Sequence, residues 1–135
     1  MDYKIIDIEG VGEVYASKLQ SAGINKASEL LEKCAAPQGR KELAEATGIN
    51  EKLILRWTNH ADLFRINGVG PQFAELLEVA GVDTVKEFRH RLAENLQPKL
   101  AEINEARHIC GRTPVVAEIQ KMIDQAKDLE PKVTY

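Results

Sequence analysis

The stretch Ile8-Glu9-Gly10-Val11-Gly12 recurs 58 residues later as Ile66-Asn67-Gly68-Val69-Gly70. The match continues downstream, through the apolar positions of the segments that follow each copy. Because the glycines and the apolar positions recur together, they indicate a repeated structural unit rather than a chance similarity. The sequence therefore predicts two repeats, residues 1–65 and 66–135.

Each copy begins with a glycine turn and continues as a series of short helices. Two glycines let the backbone turn tightly and leave the amides at the start of the next helix uncovered, while the valine between them anchors the turn in the core. Capping residues and helix breakers predict helices over residues 12–22, 26–35, 39–47 and 51–64 in the first copy, and over 70–80, 84–93, a segment opened by Pro98, and 114–129 in the second.

The composition agrees with an all-α fold. The chain has 135 residues, of which 44% are hydrophobic, 29% are charged and only 5% are aromatic. These values are typical of a globular protein and exclude an intrinsically disordered chain. No uncharged apolar run approaches the roughly 20 residues that cross a bilayer, and the first residues resemble neither a signal peptide nor a transit peptide. We therefore expect a cytoplasmic protein.

The sequence contains no pattern typical of catalysis or of cofactor binding. Cys34 and Cys110 lie far apart, which favours two reduced, buried thiols over a disulfide. His108 and Cys110 have no second pair of ligands at metal-binding spacing. Trp57 follows the apolar spacing of a helix, which predicts a core position. We expect a protein that is not an enzyme and that binds no metal and no cofactor.

The two glycine stretches, with Tyr15-Ala16 after the first and Phe73-Ala74 after the second, resemble the helix-hairpin-helix motif. The whole chain is also similar to an uncharacterised bacterial family of tandem helix-hairpin-helix proteins, which is known only as a domain of unknown function. The motif implies sequence-independent binding of the DNA backbone, with hairpin amides and a nearby Lys or Arg on the phosphate oxygens.

The first turn lacks the helix that should lead into it, because residues 1–7 are too few to form one. We expect the C-terminal helix, residues 114–129, to fill this place. The two repeats would then pack as one compact pseudo-twofold unit closed by that helix.

Charge distinguishes the two turns. Glu9 and Glu13 flank the first, where a carboxylate at the helix start would repel a phosphate, whereas Asn67 and Pro71 stand at these positions in the second. We therefore predict DNA contacts mainly around the second turn, at Gly68, Val69, Gly70, Gln72, Arg65, Lys86, Arg89 and Arg91. The first turn supplies weaker candidates, namely Gly10, Val11, Gly12 and Lys18.

The overall charge keeps a second function open. The chain has 18 Lys and Arg against 21 Asp and Glu, a net charge of -3, whereas a non-specific DNA-binding protein usually carries a basic field. The alternative is an interaction or scaffold domain that retains the helix-hairpin-helix architecture without binding DNA. The partner is therefore DNA or an unidentified protein and not a membrane, and the oligomeric state stays open.

Overall fold

The structure, a computed structural model, describes residues 2–135 and is helical throughout that part of the chain, which confirms the all-α class. A short 3-10 helix, Ile5–Asp7, precedes the longer elements. The α-helices are α1 (Gly12–Ser21), α2 (Ala27–Cys34), α3 (Pro37–Thr47), α4 (Glu51–Leu63), α5 (Pro71–Val79), α6 (Val85–Phe88), α7 (Ala93–Arg107) and α8 (Val116–Asp128).

The chain forms two compact units. The first comprises residues 2–62 together with 132–135, and the second comprises 63–131. The division therefore falls three residues before the predicted end of the first repeat, and the C-terminal tail returns to the first unit.

The first unit is built around Trp57, which is fully buried on α4. Its ring lies 5.2 Å from that of Tyr15 on α1, centroid to centroid, so the predicted core position of Trp57 is confirmed. The N-terminal segment attaches to the start of α2, where the Ala27 N–H donates to the carbonyl of Tyr3 at 2.8 Å. At the other end of α2, the chain turns sharply into α3 at Gly39, whose Cα faces the Lys33 carbonyl group closely.

A buried arginine attaches the C-terminal tail to the first unit. Arg40 is only 5% exposed. Its guanidinium donates to the carbonyls of Cys34 and Ala35, both at 3.0 Å, and to that of Thr134 at 2.7 Å. The Thr134 N–H in turn donates to the carbonyl of Ala35 at 2.8 Å. The tail is thus hydrogen-bonded to the last residues of α2 and to the residue that follows it.

In the second unit, α8 packs against α6 and α7 through a buried stripe formed by Ile119, Met122, Ile123 and Ala126. It also lies over the second glycine turn. Gln125 accepts from the Asn67 N–H at 2.9 Å and donates to the Asn67 carbonyl at 3.3 Å. The sequence analysis assigned this helix to the first turn. The contacts within the second unit attach it to the second turn, as α4 is attached to the first turn through Arg56.

Three helix boundaries in the second repeat differ from those predicted. Helix α6 ends at Phe88 instead of residue 93, and α8 begins at Val116, two residues after Pro114. Pro98 does not open a helix but lies inside α7, which begins at Ala93. The buried positions Leu96 and Leu100 are spaced one helical turn apart, so packing favours a continuous helix, while the proline itself is exposed.

Candidate nucleic-acid interface

The two glycine turns share one geometry. In each, the valine N–H donates to the isoleucine carbonyl three residues earlier, at 3.2 Å in the first turn and 3.1 Å in the second. Val11 and Val69 are buried, so each turn is anchored in its own unit. Gly10 and Gly68 are exposed, with φ of +89° and +98°. This is the left-handed region that favours glycine, so the sequence requirement at these two positions follows from the backbone.

The second turn leads into a helix start without a carboxylate. Gly70 caps α5 in an extended conformation, Pro71 is its first residue, and its first turn contains no acidic residue. The first amides of an α-helix have no partner within the helix. In α5 these include the amide of Gln72, a residue exposed to solvent. The arrangement can accept an anion at the positive end of the helix dipole.

The first turn differs by carrying both an acid and a base. Glu13 lies in the first turn of α1 and complements the helix dipole. Lys18, a weaker candidate, lies on the same helix with its Nζ 5.9 Å from the centre of the Tyr15 ring. Arg56 was missed by the sequence analysis. Its Nη1 lies 3.6 Å from the position that a Cβ on Gly10 would occupy.

Two of the predicted cationic residues bind backbone carbonyls near the end of α8. Arg65 donates through Nη2 to the carbonyl of Glu130 at 2.6 Å. Arg89 donates through Nη2 to the carbonyl of Lys127 at 3.3 Å. The second turn reaches the same part of α8 through Gln125, another residue that the sequence analysis missed. The structure thus brings the second turn, Arg65 and Arg89 to one helix.

The two remaining cationic candidates belong to the surroundings of α6. Arg91 donates to Glu87 from Nε at 3.2 Å and from Nη2 at 3.0 Å, and Nη2 also donates to the carbonyl of Gly81 at 3.1 Å. Lys86 is exposed on α6. Arg91 therefore has a local structural role, since it joins the end of α6 to the residue that follows α5.

The two cysteines carry free thiols in different surroundings. Cys34 is buried, as predicted, and burial raises the pKa of its thiol to about 11. Cys110 is only half-buried, and burial raises its pKa as well. Raised pKa values keep both sulfurs protonated near neutral pH, so neither thiol is activated as a nucleophile. Among residues 2–135, no group of three or more His, Cys, Asp or Glu could hold a metal ion.

Residues 9–129 match the model of a family described as a domain of unknown function, DUF4332. The chain belongs to this family. The matched region of this DUF4332 member contains all eight α-helices and both Gly10 and Gly68. No curated protein and no solved structure matches the chain. None of the helices within residues 2–135 combines the length and the apolar character needed to cross a membrane.

Proposed function

We propose that the protein binds the DNA backbone without sequence preference, mainly through the second glycine turn and the start of α5. The resemblance to the helix-hairpin-helix motif implies this function, and the carboxylate-free start of α5 is the observation that carries it to the second turn. At the same place α1 carries Glu13. The two repeats thus share a backbone geometry and differ in what their helix starts attract.

The magnitude of this effect predicts modest affinity. A charge at a helix end is worth about 0.3–1 kcal/mol, so one turn alone binds a phosphate weakly. Phosphate contacts position a protein on the duplex but read no sequence. The net charge of -3 further limits binding through long-range attraction. The proposed protein is therefore a non-enzymatic module that holds DNA loosely.

Arg65 and Arg89 can serve this function while holding α8. A guanidinium has five N–H donors, and the carbonyl bonds described above use one nitrogen of each. These bonds fix the two side chains at the helix that also holds the second turn. In the proposed complex, their outer N–H groups contact phosphates beside the one bound at α5.

A fluorescence anisotropy titration tests the proposal with labelled duplex, single-stranded and junction DNA over a salt series. Binding should weaken as salt rises, because counterions are released from the DNA. Gln72→Glu places a carboxylate in the first turn of α5 and should weaken duplex binding about fivefold, from roughly 1 kcal/mol at the helix end. The same substitution suits the helix dipole, so the variant should keep its fold.

The matched control is Glu13→Gln, which makes the opposite change at the same position of α1. It should leave duplex binding unchanged or slightly tighter. Absent or salt-insensitive binding would refute the proposal. Equal affinity of the wild type and Gln72→Glu would refute the assignment to the second turn.

The alternative is a protein-binding domain on the same framework. Its supporting observation is that Arg65, Arg89 and Arg91 all donate to acceptors within the second unit, so three predicted DNA contacts also have structural roles. A pull-down would favour this function if it recovers a partner whose binding survives changes at Gly68, Gly70 and Arg65.

A further inference from the structure

A groove of about 380 Å³ lies on the second unit, between the segment after α6 and the first turns of α7. It is lined by His90, Arg91, Leu92, Asn95, Leu96 and Lys99. Four of these side chains have N–H donors that can bind an anion, and no carboxylate lines the groove. The helix-hairpin-helix resemblance does not account for this groove, because none of its lining residues belongs to a glycine turn.

The donors come from two directions. Asn95 and Lys99 are four residues apart, which places them on one face of α7 about 5–6 Å from each other at their Cβ atoms. His90 and Arg91 approach from the segment before the helix. Leu96 is only 3% exposed and supplies an apolar floor. Polar donors around an apolar floor are typical of a ligand site in which the donors fix the ligand's orientation.

The charges of the groove are not neutralised uniformly. Glu87 holds Arg91 through Nε and Nη2, which fixes the plane of the guanidinium. Within residues 2–135, neither the His90 ring nor the Lys99 ammonium has a hydrogen-bond or ion-pair partner. Glu94 lies on α7 but on a different face, since the residues that line the groove follow the spacing 92, 95, 96 and 99.

We propose that this groove binds a phosphate group. The Lys99 ammonium supplies the main charge, and the Asn95 amide and the His90 ring donate to the phosphate oxygens. The fixed guanidinium of Arg91 closes the site on one side. The phosphate can belong to a nucleic-acid backbone or to a free or terminal phosphate, because the donors recognise the same oxygens in both.

An NMR titration of the full chain with inorganic phosphate tests the site, with ionic strength held constant by sodium chloride. Amide and side-chain shifts should change saturably and should be centred on residues 90–99. Lys99→Gln should weaken the phosphate affinity at least about fivefold, because it removes the main charge at the cost of roughly 1 kcal/mol. The matched control is Lys86→Gln, which removes an exposed lysine outside the groove and should leave the affinity unchanged.

Shifts that are unsaturable or that spread over the whole chain would overturn the proposal, as would equal phosphate affinity in Lys99→Gln and Lys86→Gln. Two further titrations identify the source of the phosphate. A short duplex without terminal phosphates reports on the backbone, and a 5′-phosphorylated nucleotide reports on a terminal group. Lys99→Gln should weaken at least one of them.

The groove and the proposed DNA function can fail separately. If inorganic phosphate binds in the groove but no duplex binds, the groove stands and the DNA function falls. If duplex binding depends on Gln72 but phosphate shifts are absent around Lys99, the DNA function stands and the groove falls.

Discussion

Replacing Gly39 by alanine should destabilise the first unit, because α2 and α3 meet there without room for a side chain. A Cβ on Gly39 would lie 2.9 Å from the carbonyl carbon of Lys33, closer still to the carbonyl oxygen, and 3.6 Å from the Cα of Cys34. All three are backbone atoms, so no side-chain rotation can relieve the overlap. The chain must move where the two helices join.

The expected loss is about 2 kcal/mol of unfolding free energy. Overpacking a close contact costs about 1–3 kcal/mol, and a backbone obstacle places this substitution at the upper end. Alanine regains part of the loss, because it is favoured over glycine in a helix by up to ~1 kcal/mol. For a chain of 135 residues, a net loss of this size corresponds to a fall of roughly 8 °C in Tm.

Urea denaturation followed by tryptophan fluorescence measures this loss directly. The chain has one tryptophan, Trp57, which is buried in the same unit as Gly39 and therefore reports on its unfolding. Gly111→Ala is the control, since its added Cβ would meet no atom within 4 Å. It should change the unfolding free energy by less than about 0.5 kcal/mol. An unchanged urea midpoint and slope for Gly39→Ala would refute the reasoning.

Arg40→Met should lower the unfolding free energy by about 3 kcal/mol, because three backbone carbonyls lose their donor, and the same urea titration measures it. Iodoacetamide at pH 8 should alkylate Cys110 before Cys34, since burial raises the pKa of Cys34 to about 11 and shields its sulfur; mass spectrometry gives the order, and earlier labelling of Cys34 would contradict this. Two hydrogen bonds from Arg112, at 2.8 and 2.7 Å, lower the pKa of Glu118 from 4.5 to about 2, so its stabilising contribution is present above pH 4.5 and is lost as the pH falls through 2. Arg112→Gln should return the Glu118 titration, followed by carboxyl NMR, towards its ordinary pKa.

The helices nearest the glycine turns could be predicted from the sequence because their signals are local. The predicted ranges 12–22 and 70–80 agree with α1 and α5 to within one residue at each end. Pro98 was placed incorrectly because a proline in isolation favours a helix start. The buried stripe of α7 outweighs that preference, and only the tertiary packing shows it.

The site was predictable at its turn but not among its charged residues. Arg65 and Arg89 were selected for their proximity in sequence to the turn and to α6. Their carbonyl acceptors lie 65 and 38 residues away, in the segment around the end of α8, so the sequence could not show that they hold it.

Arg56 was missed for a related reason. It faces Gly10 as Met122 faces Gly68, but the two glycines are 58 residues apart while Arg56 and Met122 are 66 apart. Insertions in the second copy shift the register, so a self-comparison at one fixed offset cannot pair α4 with α8. An alignment of the helices within each copy, rather than of the whole copies, would have shown the correspondence.

The attachment of Thr134 to α2 gives the chain the topology of an insertion. The 69 residues from 63 to 131 stand between two segments of the first unit. During synthesis, Arg40 therefore emerges from the ribosome long before its third carbonyl partner does. The first unit can gain its final hydrogen bonds only after the whole second unit has been made. A fragment cut at residue 62 would keep Trp57 and lose this last contact.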